Sequence, residues 1–369
     1  MAPAKPSQDV VRALTDEHVL RALIRHRRLT RAELAVEIGI SKPTAGESVR
    51  RLTERGLVAD TGERTAGGRG RGRVGSYYAL APTVGVALAI TIAPRGVVAE
   101  CLDVYGDIVA STVRPADPSR VASALEAAAA EVTAAAAGTG AAQPVRLAVV
   151  SAADPVDRTT GRLVQLPDAP FLVGELDPVA LLAPYVYGPV VVDNDVNWAA
   201  LATRDSADFA YLHLGEGLGC AIVNDGEVRR GRTGLTGEIA HLITVGPGGR
   251  AVRFIELFGE LGLRRGGSTA VDVERLVAAG EETRAVVGAA VGGVIAAVIA
   301  LADPQVVVVG GSWGPALAGD IRAAVAGMPR QVPVRTASPQ TDPVLAGVRA
   351  AALSHLRAGV MAAREPHPG

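Results

Sequence analysis

The sequence predicts an α/β protein in two parts, a winged helix-turn-helix unit over residues 1–80 and a two-lobed body over residues 81–369. Two observations support this division. Residues 30–73 contain short capped helices followed by a Gly/Arg-rich hairpin, which is the order of a helix-turn-helix with a wing. After Ala81 apolar strands alternate with long helices, a pattern typical of α/β architectures.

Charge also separates the two parts. Residues 1–80 contain 15 Lys and Arg against 9 Asp and Glu, whereas the whole chain has a formal net charge of −1. Only the front part therefore favours a polyanionic partner such as double-stranded DNA. A Gly/Arg run by itself is also typical of a disordered basic linker. Here the run follows two capped helices, and this order favours the wing.

The helix-turn-helix is predicted from local signals. Thr30 and Glu33 have capping-box spacing at the start of the first helix, and Gly39 can supply the positive φ that ends it. Ser41 is the expected N-cap of the second helix. The apolar positions of that helix follow helical spacing and are Ala45, Val49 and Leu52.

The exposed side of the second helix is predicted to enter the major groove of DNA. Its candidate contacts are Ser41, Lys42, Pro43, Thr44, Glu47, Arg50 and Arg51. Residues 57–58 and 77–80 are predicted as wing strands, and the tip between them carries Arg69, Arg71 and Arg73. Glycines between these arginines let the backbone approach phosphates or carry a guanidinium into the minor groove.

The body is predicted to contain a series of short apolar strands. They lie at residues 84–91, 97–103, 108–113, 146–151, 190–193, 208–214 and 306–309, with an Ala-rich helix over 120–137. Residues 285–302 carry no charge, but their Gly and Ala content and the Asp303-Pro304 pair favour a buried helix over a membrane span. Cys101 and Cys220 lie far apart in apolar runs, which is typical of buried free thiols. The first eight residues are polar and do not resemble a secretory signal. Together these features predict a cytoplasmic protein.

Five segments of the body occur in the order found in one known family. They are VVVDNDVNWAALA at 190–202, LHLGEGLGCAIVNDGEVRRG at 212–231, GEIAH at 237–241, VVVVGG at 306–311 and DPVLAGVRAAAL at 342–353. Together they make the chain resemble the ROK family of repressors, open reading frames and sugar kinases. The resemblance covers nearly all of the chain after Ala81. It implies a two-lobed, actin-like and ribonuclease-H-like ATPase fold, and a winged unit in front is the arrangement of the family's transcriptional members.

The resemblance also implies a sugar-binding site. In the family an Asn-Asp pair binds a sugar hydroxyl, with the Asp as general base of phosphoryl transfer, and Asn194 and Asp195 match this pair. Glu238 and His241 match a Glu-x-Gly-His motif that here has Ala in place of Gly. Without the resemblance, the Asn-Asp pair could equally cap a helix, and His241 could be a structural residue.

Two further positions complete the predicted sugar site. Glu256 is similar to another family Glu that contacts the sugar, and Asp168 lies where many relatives have Asn. Because Asp168 belongs to a loop expected to contact the ligand, it is predicted to alter the preference for sugar hydroxyls.

The phosphate-binding segments depart from those of the family's kinases, whose first lobe opens with an Asp-x-Gly-Gly-Thr loop. Here residues 85–94 are GVALAITIAP, with no carboxylate and no glycine pair. In the second loop Glu216 replaces the usual Thr and adds negative charge near any triphosphate. Gly310 and Gly311 match adenosine-side glycines, although a tight turn accounts for them equally well. ATP binding and catalysis are therefore not expected.

The family's structural zinc site is not expected either. Relatives bind Zn²⁺ through the motif His and three cysteines within about twenty residues, whereas residues 242–265 contain no cysteine. Packing of Ile255, Leu257 and Phe258 could order this segment instead. No metal or other cofactor is predicted.

These observations predict a transcriptional regulator whose kinase-like body senses a sugar or sugar phosphate. A homodimer or homotetramer would read a pseudo-palindromic operator, with no membrane association. Two alternatives stay open: an active sugar kinase with an appended DNA-binding unit, and a regulator that has lost sugar binding.

Overall fold

The structure is a computed structural model that describes residues 8–65, 74–94, 96–138, 143–166, 176–203, 206–338 and 342–363. These residues form a small N-terminal unit and two lobes, each lobe built on a five-stranded sheet. The predicted α/β class is confirmed. The predicted strands of the body are all present, with bounds within two residues of the prediction.

The N-terminal unit, called the winged unit below, combines helices with a three-stranded sheet. Its elements are α1 Gln8–His26, β1 Arg28–Thr30, α2 Arg31–Glu37, α3 Lys42–Glu54, β2 Val58–Arg64 and β3 Ser76–Leu80. The sheet order is β1-β3-β2, and β3 is antiparallel to both neighbours. Thr30 and Glu33 form the predicted capping box of α2. α1 and β1 add to the elements that the sequence predicts.

The first lobe carries a mixed sheet covered by helices. Its elements are β4 Val86–Ala93, β5 Gly96–Leu102, β6 Ile108–Arg114, α4 Val121–Ala137, β7 Val145–Ala152, α5 Pro178–Leu182, β8 Val190–Asn194 and α6 Asp195–Thr203. The strand order is β6-β5-β4-β7-β8, with β4, β7 and β8 mutually parallel. The carboxyl ends of these parallel strands therefore meet at one edge, where polar residues follow β7 and end β8.

The second lobe repeats the pattern with a different helix cover. Its elements are β9 Phe209–Leu214, β10 Leu218–Asn224, β11 Glu227–Val228, β12 Ile243–Val245, β13 Ala251–Arg253, α7 Phe254–Glu260, α8 Val273–Val277, α9 Glu281–Ala302, β14 Val306–Gly310, α10 Ala318–Val325, β15 Val334–Thr336 and α11 Pro343–Ala362. The sheet order is β11-β10-β9-β14-β15, and β12 and β13 form a separate hairpin.

The helix α9 is apolar because it forms part of the core of the second lobe. It is long and apolar enough to cross a membrane by composition alone, and half of its most apolar window is buried within the protein. Val291, Val294 and Ile295 belong to the core of the second lobe together with strand residues of β9 and β14. The predicted buried helix is therefore present.

The last helix, α11, returns to the first lobe and to the winged unit. Its N-terminal half packs on α6, and a Cβ at Gly347 would lie 2.1 Å from the carbonyl oxygen of Trp198, so only glycine fits there. Arg349 forms two 2.5 Å hydrogen bonds with the buried carboxylate of Glu100 in β5. Leu356 and Val360 belong to one continuous apolar cluster with the core residues of the winged unit.

Candidate functional site

The exposed face of α3 is the candidate DNA-reading surface. A turn at Gly39, with a φ of 69°, joins α2 to α3. Ser41 Oγ accepts a hydrogen bond from the backbone N of Thr44 at 3.2 Å, which fixes the start of α3 locally. The predicted contact residues that are exposed are Ser41, Lys42, Pro43, Thr44, Glu47 and Arg50. The described part of the unit thus presents the start of α3 to a partner.

Two arginines of α3 are held by carboxylates. Arg50 donates to Glu47 and to Glu54 at 2.5 Å each, along the exposed face. Arg51 points inward, because its Nη2 lies 2.6 Å from Oδ1 of Asp16, a residue only 6% exposed. A buried carboxylate needs such a counter-charge. The expected place of Arg51 on the DNA-reading surface is therefore corrected: it belongs to the interior of the winged unit.

The wing is formed by β2 and β3, as the sequence predicts, although β2 extends further than expected, to Arg64. The guanidinium of Arg31 lies 4.9 Å from the ring centroid of Tyr78, which anchors the base of the wing. The predicted tip residues lie outside the described residues and are Arg69, Arg71 and Arg73.

The second candidate site is a cleft between the two lobes. Both lobes contribute, the first through the segments that follow β7 and β8, the second through the β9–β10 connection and the segment after β11. Its polar lining residues are Asp154, Asn194, Asp195, Asn197, His213, Thr236, Glu238 and His241. A concave site with few convergent polar groups at strand ends is the usual form of a small-molecule site.

Asn194 organises the first-lobe side of the cleft. Its Nδ2 donates to the carbonyl oxygen of Asp154 at 3.3 Å, and its Oδ1 accepts from the backbone N of Val196 at 3.0 Å. The side chain therefore both ties β8 to the segment after β7 and caps α6. Asn194 can therefore cap α6 and still line the cleft where the sugar site is predicted. Asp195 is the next residue and the first of α6.

Burial shifts the titration of the cleft residues. Burial raises the pKa of Asp195 to about 7. Burial, followed by the negative charges of Asp195 and Asp154, raises the pKa of Glu238 to about 7. Burial lowers the pKa of His213 to about 4, so this imidazole is neutral at neutral pH. The carboxyl groups can therefore act as hydrogen-bond acceptors or, when protonated, as donors toward hydroxyl groups.

The structure brings together four of the six predicted sugar-site residues. Asn194, Asp195, Glu238 and His241 all line the cleft. Glu256 does not line it: its side chain is 44% exposed, and its Oε1 lies 2.8 Å from Nη2 of Arg253. The Glu256 carboxylate thus takes part in an exposed local ion pair outside the cleft lining. Asp168 lies outside the described residues.

Four lining residues were not predicted from the sequence, namely Asp154, Asn197, His213 and Thr236. Asp154 follows β7, and His213 is the second-last residue of β9. Polar residues at the ends of buried strands commonly form sites in α/β proteins. Their places at strand ends could therefore have identified Asp154 and His213 as candidate site residues.

Two segments that the resemblance places at the phosphates of the family's kinases make contacts within the described residues. β4 runs unbroken from Val86 to Ala93 and pairs with β5 and β7, so its backbone amides are used within the sheet. In the second lobe Glu216 pairs with Arg265, whose Nη2 lies 2.6 Å away. A Cβ at Gly310 would lie 2.1 Å from Oη of Tyr211, so packing alone accounts for this glycine.

Apolar and aromatic side chains pack within residues 242–265, the segment that contains no cysteine. Phe254, Ile255, Leu257 and Phe258 are all buried. The ring of Phe258 lies 5.5 Å from that of Phe254 and 5.8 Å from that of Trp313, between centroids. Among the described residues no group of three or more His, Cys, Asp or Glu side chains is arranged to hold a metal ion. Cys101 and Cys220 are free and buried, as predicted.

The fold and the two sites define a winged helix-turn-helix DNA-binding unit joined to a two-lobed, sugar-kinase-like body. The model of winged helix-turn-helix DNA-binding domains matches residues 12–59, and the ROK family model matches residues 90–252. The chain therefore contains a ROK family domain behind a winged helix-turn-helix domain. The predicted actin-like class of the body is confirmed, because solved ROK structures share the fold.

The proteins similar to this chain include two solved ROK structures and one curated glucokinase. A ROK family transcriptional regulator, a homolog of the E. coli MLC protein, is 18% identical, with a TM-score of 0.61 over 95% of this chain and 99% of that one. A ROK hexokinase from Thermus thermophilus is 25% identical, with a TM-score of 0.54 over 74% of this chain and 100% of that one. A glucokinase from Halalkalibacterium halodurans is 39% identical over 67 residues, 16% of this chain and 20% of the glucokinase. The chain thus matches about a fifth of that curated relative's length.

Proposed function

We propose that this protein is a cytoplasmic transcriptional regulator whose body binds a sugar or sugar derivative and thereby changes the affinity of the winged unit for its operator. One observation carries the proposal: α11 packs on α6, the helix that begins at Asp195 in the cleft, and joins the core of the winged unit through Leu356 and Val360. A ligand that moves the lobes would move a helix shared with the DNA-binding unit.

Polar contacts reinforce this connection between the body and the winged unit. Arg27 pairs with Asp107 in the turn between β5 and β6. Tyr105 Oη, in the same turn, donates to the carbonyl oxygen of Arg27 and accepts from the backbone N of Leu80, at 3.3 Å each. Arg55 donates to the carbonyl oxygen of Ala363, just after α11. These contacts support a rigid attachment, so lobe movement would reposition the whole winged unit.

In the proposed complex α3 lies in the major groove, and the wing contacts the flanking backbone or minor groove. A homodimer or homotetramer places two winged units on a pseudo-palindromic operator, with half-sites one or two helical turns apart. The test is a gel shift with DNA from the region upstream of the protein's own gene, against random DNA at physiological salt. Equal affinity for the two DNAs would reject the proposal.

Lys42→Ala is expected to change base preference, because Lys42 is exposed at the start of α3, where base edges are met. The expected loss is roughly 1–3 kcal/mol on the preferred operator and much less on random DNA. Binding is measured by fluorescence anisotropy on an operator series with single base changes.

Arg71→Ala is the contrasting variant for that experiment. Because a wing arginine is expected to contact phosphates, this change should weaken binding to all DNA sequences. The slope of log binding constant against log salt concentration should fall by about one, since about one counterion fewer is released. If the two variants had the same profile over the operator series, α3 would not be the base-reading element.

A second candidate function is an active sugar kinase, and the raised pKa of Asp195, about 7, favours it because that value suits a general base. We nevertheless propose a non-catalytic body without zinc or nucleotide. The amides of β4 are engaged in the sheet. The Glu216–Arg265 pair occupies the second phosphate loop, and its carboxylate would repel a triphosphate.

No ATP turnover is therefore expected with any hexose in a coupled ATPase assay. Asp195→Asn provides the control, because background hydrolysis by a contaminant would be unaffected by this substitution. Sugar-dependent turnover that disappears in Asp195→Asn would establish the kinase instead.

A further inference from the structure

The described lining of the cleft contains carboxyl groups and imidazoles but no side chain with a permanent positive charge. Its carboxylates are Asp154, Asp195 and Glu238, and its imidazoles are His213 and His241. No Lys or Arg is present among the lining residues that the structure describes.

Two guanidinium groups of the second lobe near the cleft are paired with carboxylates. Arg230 Nε lies 2.7 Å from Oδ2 of the buried Asp193, whose other oxygen accepts from Nδ2 of Asn197 at 2.7 Å. Arg265 pairs with Glu216. Diverting Arg230 to a ligand would leave the carboxylate of Asp193 buried without its counter-charge, which is costly.

We propose that the cleft takes an unphosphorylated sugar and excludes sugar phosphates. A sugar phosphate would bring close to two negative charges into a site that holds three carboxyl groups and, among its described lining residues, no Lys or Arg. Hydroxyl groups, in contrast, match the lining, because carboxylates accept from them and Asn197 and Thr236 are neutral polar neighbours. The inference rests on the proposed sugar-sensing function and narrows its ligand class.

The test is isothermal titration calorimetry of the full-length protein with matched pairs. Glucose, galactose, mannose and N-acetylglucosamine are each titrated beside their 6-phosphates at equal ionic strength. The best free sugar is expected to bind at least about tenfold more tightly than its phosphate, because like charges repel in a partly buried site.

Two substitutions establish whether charge causes the exclusion. At a pH above about 7, where Glu238 is ionised, Glu238→Gln removes one negative charge from the lining with little change in shape, so the ratio between sugar and phosphate affinities is expected to fall several-fold. Glu227→Gln removes the exposed carboxylate of Glu227 in β11, which does not line the cleft, and is expected to leave the ratio unchanged.

A 6-phosphate that binds as tightly as its parent sugar, or more tightly, would overturn this inference and leave sugar sensing intact. An exclusion ratio that Glu238→Gln does not change would also overturn it, since shape rather than charge would then exclude the phosphate. Binding of none of the eight compounds, with operator binding preserved, would reject the sugar sensor itself and this inference with it.

Discussion

Gly347→Ala is expected to separate α6 from α11 and to lower the stability of the whole protein. The added Cβ would lie 2.1 Å from the carbonyl oxygen of Trp198 and 2.7 Å from its carbon, and both are backbone atoms that cannot move alone. Overpacking of this kind costs about 3 kcal/mol. The midpoint of thermal unfolding should fall by several degrees. Any folded variant should also lose the effect of the sugar on operator binding, because α11 links the cleft to the winged unit.

Gly359→Ala is the matched control in the same helix. A Cβ at Gly359 meets no atom within 4 Å, so this change is expected to be neutral or to stabilise α11 by up to about 1 kcal/mol through helix propensity. Thermal unfolding of both variants is followed by circular dichroism, and operator binding is measured with and without ligand. Equal unfolding midpoints for the two variants would show that the contact between α6 and α11 is not as close as described.

Local signals were sufficient to predict much of the winged unit. The capping box at Thr30, the N-cap at Ser41 and the turn at Gly39 each act within four residues, so the sequence contains them completely. α1 was missed because its stability depends on distant partners. Its apolar residues, such as Leu20 and Leu23, are buried by α3, β3 and the cluster that includes α11. No local sequence pattern predicts these contacts.

The difference between local signals and contacts of distant residues also explains which cleft residues could be predicted. Asn194, Asp195, Glu238 and His241 were predicted because they belong to motifs with fixed order. His213 could not be predicted in this way, because it reaches the cleft only when the fold brings together strand ends that are far apart in the sequence.

The two predicted residues that the structure places elsewhere both form ion pairs. Arg51 lies on the helix predicted to meet DNA, yet Asp16, 35 positions earlier in the chain, draws its guanidinium inward. Glu256, in the first turn of α7, pairs with Arg253, the residue just before that helix. Residue type and helical position could not reveal either partner, because charge pairing is decided by which side chains the fold brings within reach.

Asp16→Ala is expected to disrupt the winged unit and to abolish operator binding. The carboxylate accepts from Nη2 of Arg51 at 2.6 Å and from Oγ of Ser48 at 2.5 Å, and Arg55 lies 3.7 Å away. Its loss leaves a partly buried guanidinium and a buried hydroxyl of α3 without their acceptor, which costs about 3 kcal/mol. Since α3 is the proposed reading helix, its loosening should remove sequence-specific binding.

Asp9→Ala is the control for this substitution on the same helix. Asp9 forms an exposed pair with Arg12, 3.3 Å apart with side chains 89% and 58% exposed, and such pairs contribute little. Chemical denaturation and gel shift are compared for both variants. Asp16→Asn should fall between Asp9→Ala and Asp16→Ala, because the amide retains one acceptor oxygen but no charge. A wild-type denaturation midpoint and operator affinity in Asp16→Ala would mean that the buried network does not hold α3 in place, and the inward position of Arg51 would then need another cause.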